Sequence, residues 1–168
     1  MSDWLDLFNA YRAPAQHVAS LLLAAAIWRW GGAPERWLIG IFLVTMVLPV
    51  YTAQWLGLTS MEVGPGATMA FVVDVLAAAL FTSVALNANR NYPLWIAGFQ
   101  LVAVVVHLVK AMVGTGSPLA FAILVIGPSY CQLLLLMGGF VRHAVRERRF
   151  GPYREWRLGE HGALGWPS

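Results

Sequence analysis

The sequence is poor in charge and almost devoid of cysteine. Only 11% of its 168 residues are charged and 59% are hydrophobic, whereas ordinary soluble domains carry roughly 25% charged residues. A soluble domain of this length leaves too much of its chain exposed to bury that much apolar surface. The single cysteine, Cys131, excludes an intrachain disulfide and any paired-cysteine metal or redox motif. The composition therefore indicates a protein embedded in a membrane.

The sequence also lacks the signatures of common enzymes. It contains no HExxH zinc helix, no GxSxG nucleophile elbow and no Walker loop. Asp74 is the only acidic residue inside an apolar segment, so paired catalytic carboxylates are missing too. We therefore expect a protein without enzymatic activity.

Long apolar segments dominate what is present. Five of them approach the roughly 20 residues that a helix needs to cross a bilayer, and lipid offers the backbone no hydrogen-bond partner outside a helix. The predicted spans cover residues 14–30, 36–57, 66–87, 93–113 and 118–141. The first is the shortest and is diluted by Gln16, His17 and Ser20. The sequence predicts an all-α, polytopic bundle of about five spans, or four if the first does not cross.

The ends of the chain differ in charge. Residues 1–13 carry two aspartates and an apolar helical face, which predicts a short interfacial helix. Residues 142–168 form a basic tail, in which five arginines are expected to contact anionic lipid headgroups: Arg142, Arg146, Arg148, Arg149 and Arg154. The positive-inside rule places this tail in the cytoplasm and the N-terminus outside, in a bacterial inner membrane. The basic run is short and shows no nucleic-acid-binding fold, so nucleic acid is not an expected partner.

Polar side chains inside the spans are costly in lipid and mark a candidate site. At about 1.5 Å of rise per residue, residues from four spans fall in the same outer part of the bilayer. Seven form the predicted intramembrane polar site: His17, Tyr51, Gln54, Asp74, Gln100, His107 and Lys110. Gln100, His107 and Lys110 share one helical stripe, while alanines on the face of Asp74 indicate a face that packs against another helix. We expect Asp74 and His107 to be partners, with Lys110 as a second cation in reach.

Three functions fit this pattern. In the first, the polar residues hold helices together in a structural or accessory membrane subunit, with a membrane-protein partner or as a homo-oligomer. In the second, Asp74, His107 and Lys110 form the site of a small-solute or proton-coupled carrier. In the third, His17 and His107, at similar depth on different spans, bind haem or a quinone in a redox anchor. The sequence leaves the cofactor unknown.

Overall fold

The computed structural model describes residues 3–55, 57, 65–113, 118–151 and 155–156. These residues form five helices, α1 (Asp3–Trp30), α2 (Ala33–Trp55), α3 (Pro65–Asn87), α4 (Tyr92–Val113) and α5 (Pro118–Phe150). No β-strand occurs among the described residues. The predicted all-α class is therefore confirmed for this part of the chain.

Three of the helices are long and apolar enough to cross a membrane. They are Ala33–Trp55, Gly66–Asn87 and Tyr92–Lys110. Helix α1 is longer but less apolar, because Arg12, Gln16 and His17 lie in its middle. Helix α5 joins an apolar segment without charged residues, 118–141, to an arginine-rich end. Two boundaries predicted from the sequence fall inside helices. Helix α1 runs unbroken across the boundary between residues 13 and 14, and α5 continues past residue 141 to Phe150.

Helix α2 is divided by a π-helical turn at Leu43–Val47. Pro49 follows this turn and has no N–H to donate to the carbonyl of Thr45, so the wider turn accommodates a broken hydrogen-bond ladder. Within the same turn, the hydroxyl of Thr45 donates to the carbonyl of Ile41, at 2.8 Å. Beyond the π-turn, Ala53 is buried and Tyr51 contacts His17 of α1, whereas Trp55 at the end of the helix is 86% exposed. The last turns of α2 therefore contact α1 rather than the Asp74 side of the bundle.

The hydrophobic core lies near the end of the bundle that holds the connections 31–32 and 88–91, called here the connection end. Large buried side chains from all five helices meet there, namely Ile27, Leu38, Ile39, Phe42, Phe81, Ile96 and Leu136. Helix α4 packs along both α3 and α5, and buried alanines such as Ala77 and Ala85 let α3 and α4 approach closely. The central position of α4 lets its polar residues reach two neighbours at once.

Gly139 of α5 allows the close approach of the Tyr92 ring of α4. A Cβ at this position would lie 2.7 Å from two ring atoms of Tyr92, whereas a Cβ on Gly138 would meet nothing within 4 Å. We expect Gly139→Ala to lower the free energy of unfolding by about 1–3 kcal/mol, because the rigid ring must move. Gly138→Ala is the matched control and should be neutral or stabilising by up to about 1 kcal/mol. Unfolding in mixed micelles measures both, and equal effects would contradict this account.

Candidate functional site

A chain of polar side chains crosses the bundle between α3, α4 and α5. Nε2 of His107 lies 2.9 Å from Oδ2 of Asp74, and both side chains are 15% exposed. Nε2 of Gln100 donates to Oδ1 of Asp74 at 2.8 Å. Both oxygens of the carboxylate therefore have protein partners. Asp74 lies about 12 Å from the Gly66 end of its span, well inside the expected apolar layer.

The same chain continues to α5 through a second amide. Nε2 of Gln132 donates to Oε1 of Gln100 at 2.8 Å and to the carbonyl of Ile96 at 3.2 Å. Gln100 and Gln132 are each 1% exposed, and Oε1 of Gln132 accepts no hydrogen bond from a described residue. We call Asp74, Gln100, His107 and Gln132 the Asp74 network. Gln132 is not among the predicted site residues, although its residue type and its place within a predicted span were a usable signal.

Three of the other predicted site residues, His17, Tyr51 and Gln54, lie apart from this network. Nδ1 of His17 lies 3.2 Å from the hydroxyl of Tyr51, so these two form a separate pair between α1 and α2. Gln54 is exposed beyond the π-turn, and Lys110 is half-buried one turn past His107. The seven predicted residues thus fall into a group on α3 and α4 and a group on α1 and α2.

This separation bears on the predicted haem or quinone site. The ring of His107 is engaged by Asp74 and lies edge-on to Phe71 at 6.1 Å, while His17 is engaged by Tyr51. Two axial ligands must face one another across a cavity, so each histidine would first have to leave its present partner. The contacts among the described residues therefore do not favour His17 and His107 as a pair of axial haem ligands.

The arginines of the tail are only partly described. Arg142, Arg146, Arg148 and Arg149 lie on exposed positions of the last turns of α5, whereas Arg154 lies outside the described residues. Their exposure at the end of a long helix is compatible with the predicted headgroup contact, which remains a prediction.

A second polar cluster, at the connection end, was missed by sequence analysis. The side chain of Glu35 is fully buried in the first turn of α2 and forms an ion pair with Arg90, which is 8% exposed. The hydroxyl of Tyr92 donates to Oε1 of Glu35 at 2.7 Å. A buried ion pair needs such additional hydrogen bonds to offset the loss of hydration. The cluster ties the start of α2 to the α3–α4 connection.

The C-terminal tail completes this cluster. Oε2 of Glu155 accepts a hydrogen bond from the backbone N–H of Ala33 at 2.9 Å, and Oε1 lies 3.7 Å from the guanidinium of Arg90. The carbonyl of Glu155 accepts from the N–H of Asn89 at 2.9 Å, and Trp156 pairs with Ala88 in a single β-bridge. Residues 155–156 are therefore docked on the bundle. A carboxylate at the N-terminus of a helix is also favoured by the helix dipole.

His143 joins the cluster from α5. Arg90 can only donate, so Nδ1 of His143, 3.2 Å from its guanidinium, accepts and is unprotonated. Nε2 then carries the hydrogen and faces the carboxylate of Glu147 at 3.4 Å. Burial lowers the pKa of His143 below its ordinary value of 6.5, and the charge of Arg90 lowers it further, against the opposing effect of Glu147 and Glu155. We call Glu35, Arg90, Tyr92, His143 and Glu155 the Arg90 cluster.

This geometry predicts a pH dependence of stability. Because the pKa of His143 is lower in the folded protein than the roughly 6.5 of an unfolded histidine, the unfolded chain binds more protons just below that pH. Its contribution to stability is therefore complete above about pH 6.5 and decreases as the pH falls from there towards the folded pKa. Thermal unfolding should show this decrease in the wild type and a smaller one in His143→Gln. An unchanged decrease in the variant would contradict the assignment.

The sequence contained only weak signals for the Arg90 cluster. Glu35 follows Pro34 at the expected start of a helix, and Arg90 and Tyr92 lie in a short connection, where charges usually contact solvent. Glu155, which contacts Ala33 and Arg90, lies far from both along the chain. Such a contact is set by the tertiary fold and leaves no pattern in the local sequence.

Comparisons with family models, with curated proteins and with solved structures find no match to this chain.

Proposed function

We propose that this chain is a structural or accessory subunit of a membrane assembly, and that the Asp74 network fastens three of its helices. The observation that carries the proposal is that each oxygen of the Asp74 carboxylate has a protein partner. Gln100 contacts one oxygen at 2.8 Å and His107 contacts the other at 2.9 Å. A carboxylate whose oxygens both face protein partners is suited to interhelical attachment, because a transported solute would have to displace those partners.

We further propose five spans in a bacterial inner membrane, with the N-terminus outside and the basic tail in the cytoplasm. Three helices meet the requirements of length and composition, and α1 and α5 pack against them with 28 and 33 residues. Arg29, Arg36 and Arg90 cluster at the connection end together with the tail arginines on α5. The positive-inside rule places the end of a bundle that is rich in arginine on the cytoplasmic side.

The test is native mass spectrometry of the full-length protein, extracted in mild detergent from its own host. The proposal expects a complex whose mass exceeds this chain by one or more protein subunits, a partner or further copies. A monomer alone, under conditions that preserve known membrane complexes of the same host, would contradict it.

A proton-coupled carrier is the second candidate. The specific observation in its favour is that two ionisable groups, Asp74 and His107, meet inside the span and keep 15% exposure each. Such groups within a membrane are candidates for proton transfer by default. Lys110, one turn away, supplies a further cation. Proteoliposomes loaded with a pH-sensitive dye test this function: a carrier requires proton flux that Asp74→Asn abolishes in a folded protein, and no flux argues against it.

A further inference from the structure

A groove opens at the connection end, between the α1–α2 connection and the last turns of α5. Its volume is about 610 Å³, and Arg29, Arg36 and Arg148 line it together with Trp30. Small-molecule sites are typically about 300–1,000 Å³, so this groove can hold a molecule larger than inorganic phosphate. The three arginines come from α1, α2 and α5. The fold thus brings cations from three separate helices to one opening.

The charges around the groove favour an anion. Glu155 and Glu147 also line it, but Glu155 is held by the N–H of Ala33 and by Arg90, and Glu147 faces His143. Arg36 and Arg148 are exposed and form no ion pair with a described residue. The guanidinium groups therefore remain open to a ligand, whereas the carboxylates already have protein donors.

In the membrane placement proposed above, on which this inference rests, the groove lies at the level of the membrane surface. The apolar span of α2 begins at Ala33, directly beside the groove. Trp28, Trp30 and Trp37 surround this boundary and are 63%, 58% and 63% exposed. Exposed tryptophans at the end of a span are typical of the headgroup layer. The polar part of a ligand in the groove would therefore lie at the level of the lipid headgroups, and any acyl chains would lie beside the indole rings.

We propose that this groove is a binding site for the phosphate of an anionic phospholipid, contacted by Arg29, Arg36 and Arg148. The guanidinium group is suited to this task because its planar fork binds two phosphate oxygens at once. Arg29 lies 5.5 Å from the centroid of the Trp30 ring, a cation–π contact that holds its charge at the edge of the groove. The site is separate from the Asp74 network and does not depend on its role.

Native mass spectrometry of the full-length protein in detergent tests the site with single lipids. The protein is titrated with phosphatidylglycerol or with phosphatidylcholine, whose headgroup is zwitterionic. The variant Arg36→Gln/Arg148→Gln should bind phosphatidylglycerol about 30-fold more weakly, from two lost arginine contacts. The matched control, Arg142→Gln/Arg149→Gln, removes two exposed arginines from α5 that do not line the groove. The headgroup contact expected of these two arginines is with the surface of a bilayer, which detergent replaces, so the affinity for a single lipid in the groove should stay within about 3-fold of the wild type.

Three results would overturn the proposal. Equal binding of phosphatidylcholine would mean that the phosphate charge is not recognised. Equal losses in the two double variants would mean that net charge alone attracts the lipid. Displacement of the lipid by an equal concentration of sn-glycerol 3-phosphate would assign the groove to a soluble phosphate ester. The proposal expects preference for phosphatidylglycerol, loss in the groove variant alone, and no displacement.

Discussion

Glu35→Ala should lower the free energy of unfolding by about 3–5 kcal/mol, because it leaves the buried guanidinium of Arg90 without its main counterion. The two side chains are 0% and 8% exposed, so water cannot replace the lost carboxylate. The hydroxyl of Tyr92 also loses its acceptor, which adds the cost of an unsatisfied buried donor. Denaturant unfolding in mixed micelles, followed by tryptophan fluorescence, measures the loss.

Removing both partners provides the control for the Glu35 prediction. In Glu35→Leu/Arg90→Met no unpaired buried charge remains, and apolar replacements of buried ion pairs are often close to neutral. The double variant should therefore recover much of the stability that Glu35→Ala loses. Its remaining defect should reflect the lost acceptor of the Tyr92 hydroxyl and the lost contacts of Arg90 with Glu155 and His143. A loss below about 1 kcal/mol in Glu35→Ala would mean that the ion pair contributes little to the fold.

Asp74→Ala should lower the free energy of unfolding by about 2–3 kcal/mol. The change removes the partner of His107 and the main acceptor of Gln100, and it leaves their polar groups facing an apolar interior. Individual interhelical hydrogen bonds in membranes contribute only about 1 kcal/mol, so the expected loss combines two of them with the cost of unsatisfied groups. Unfolding in mixed micelles is again the measurement.

Ser83→Ala is the matched control for Asp74→Ala. Ser83 is a polar residue of the same helix, but it is exposed and donates only to the carbonyl of Ala79 in its own helix. Its replacement should change the stability by no more than about 0.5 kcal/mol. If both variants were as stable as the wild type, the network would not hold the helices together, and the carrier would become the better account of Asp74.

The contact between Asp74 and His107 lies where sequence reasoning expected it. Consecutive antiparallel helices are usually neighbours, and a charged side chain in lipid must turn towards a partner. Depth along a span follows directly from residue number, so the height of each group was predictable. Which neighbour a face meets depends on helix order around the bundle. That order has no local pattern, so the link from Gln100 to Gln132 on α5 was not predicted.

Tyr51 and Gln54 illustrate the same limit from the other side. Their depth matched that of Asp74, but beyond the π-turn that precedes Pro49, Tyr51 pairs with His17 of α1 and Gln54 is exposed. A proline in a span predicts a disturbance of the helix without giving its direction. Glu35 shows a third limit. It precedes a predicted span, where charged side chains normally contact solvent, but its side chain is buried against Arg90.

The coupling energy between Asp74 and His107 tests most directly the claim that this network fastens the helices. A double-mutant cycle with Asp74→Ala, His107→Ala and the double variant isolates the pairwise term from the effects of each side chain alone. The account predicts a favourable coupling of about 0.6–1.7 kcal/mol, which lies between the average and the largest value measured for hydrogen bonds between membrane helices. Additive effects, with a coupling near zero, would contradict it.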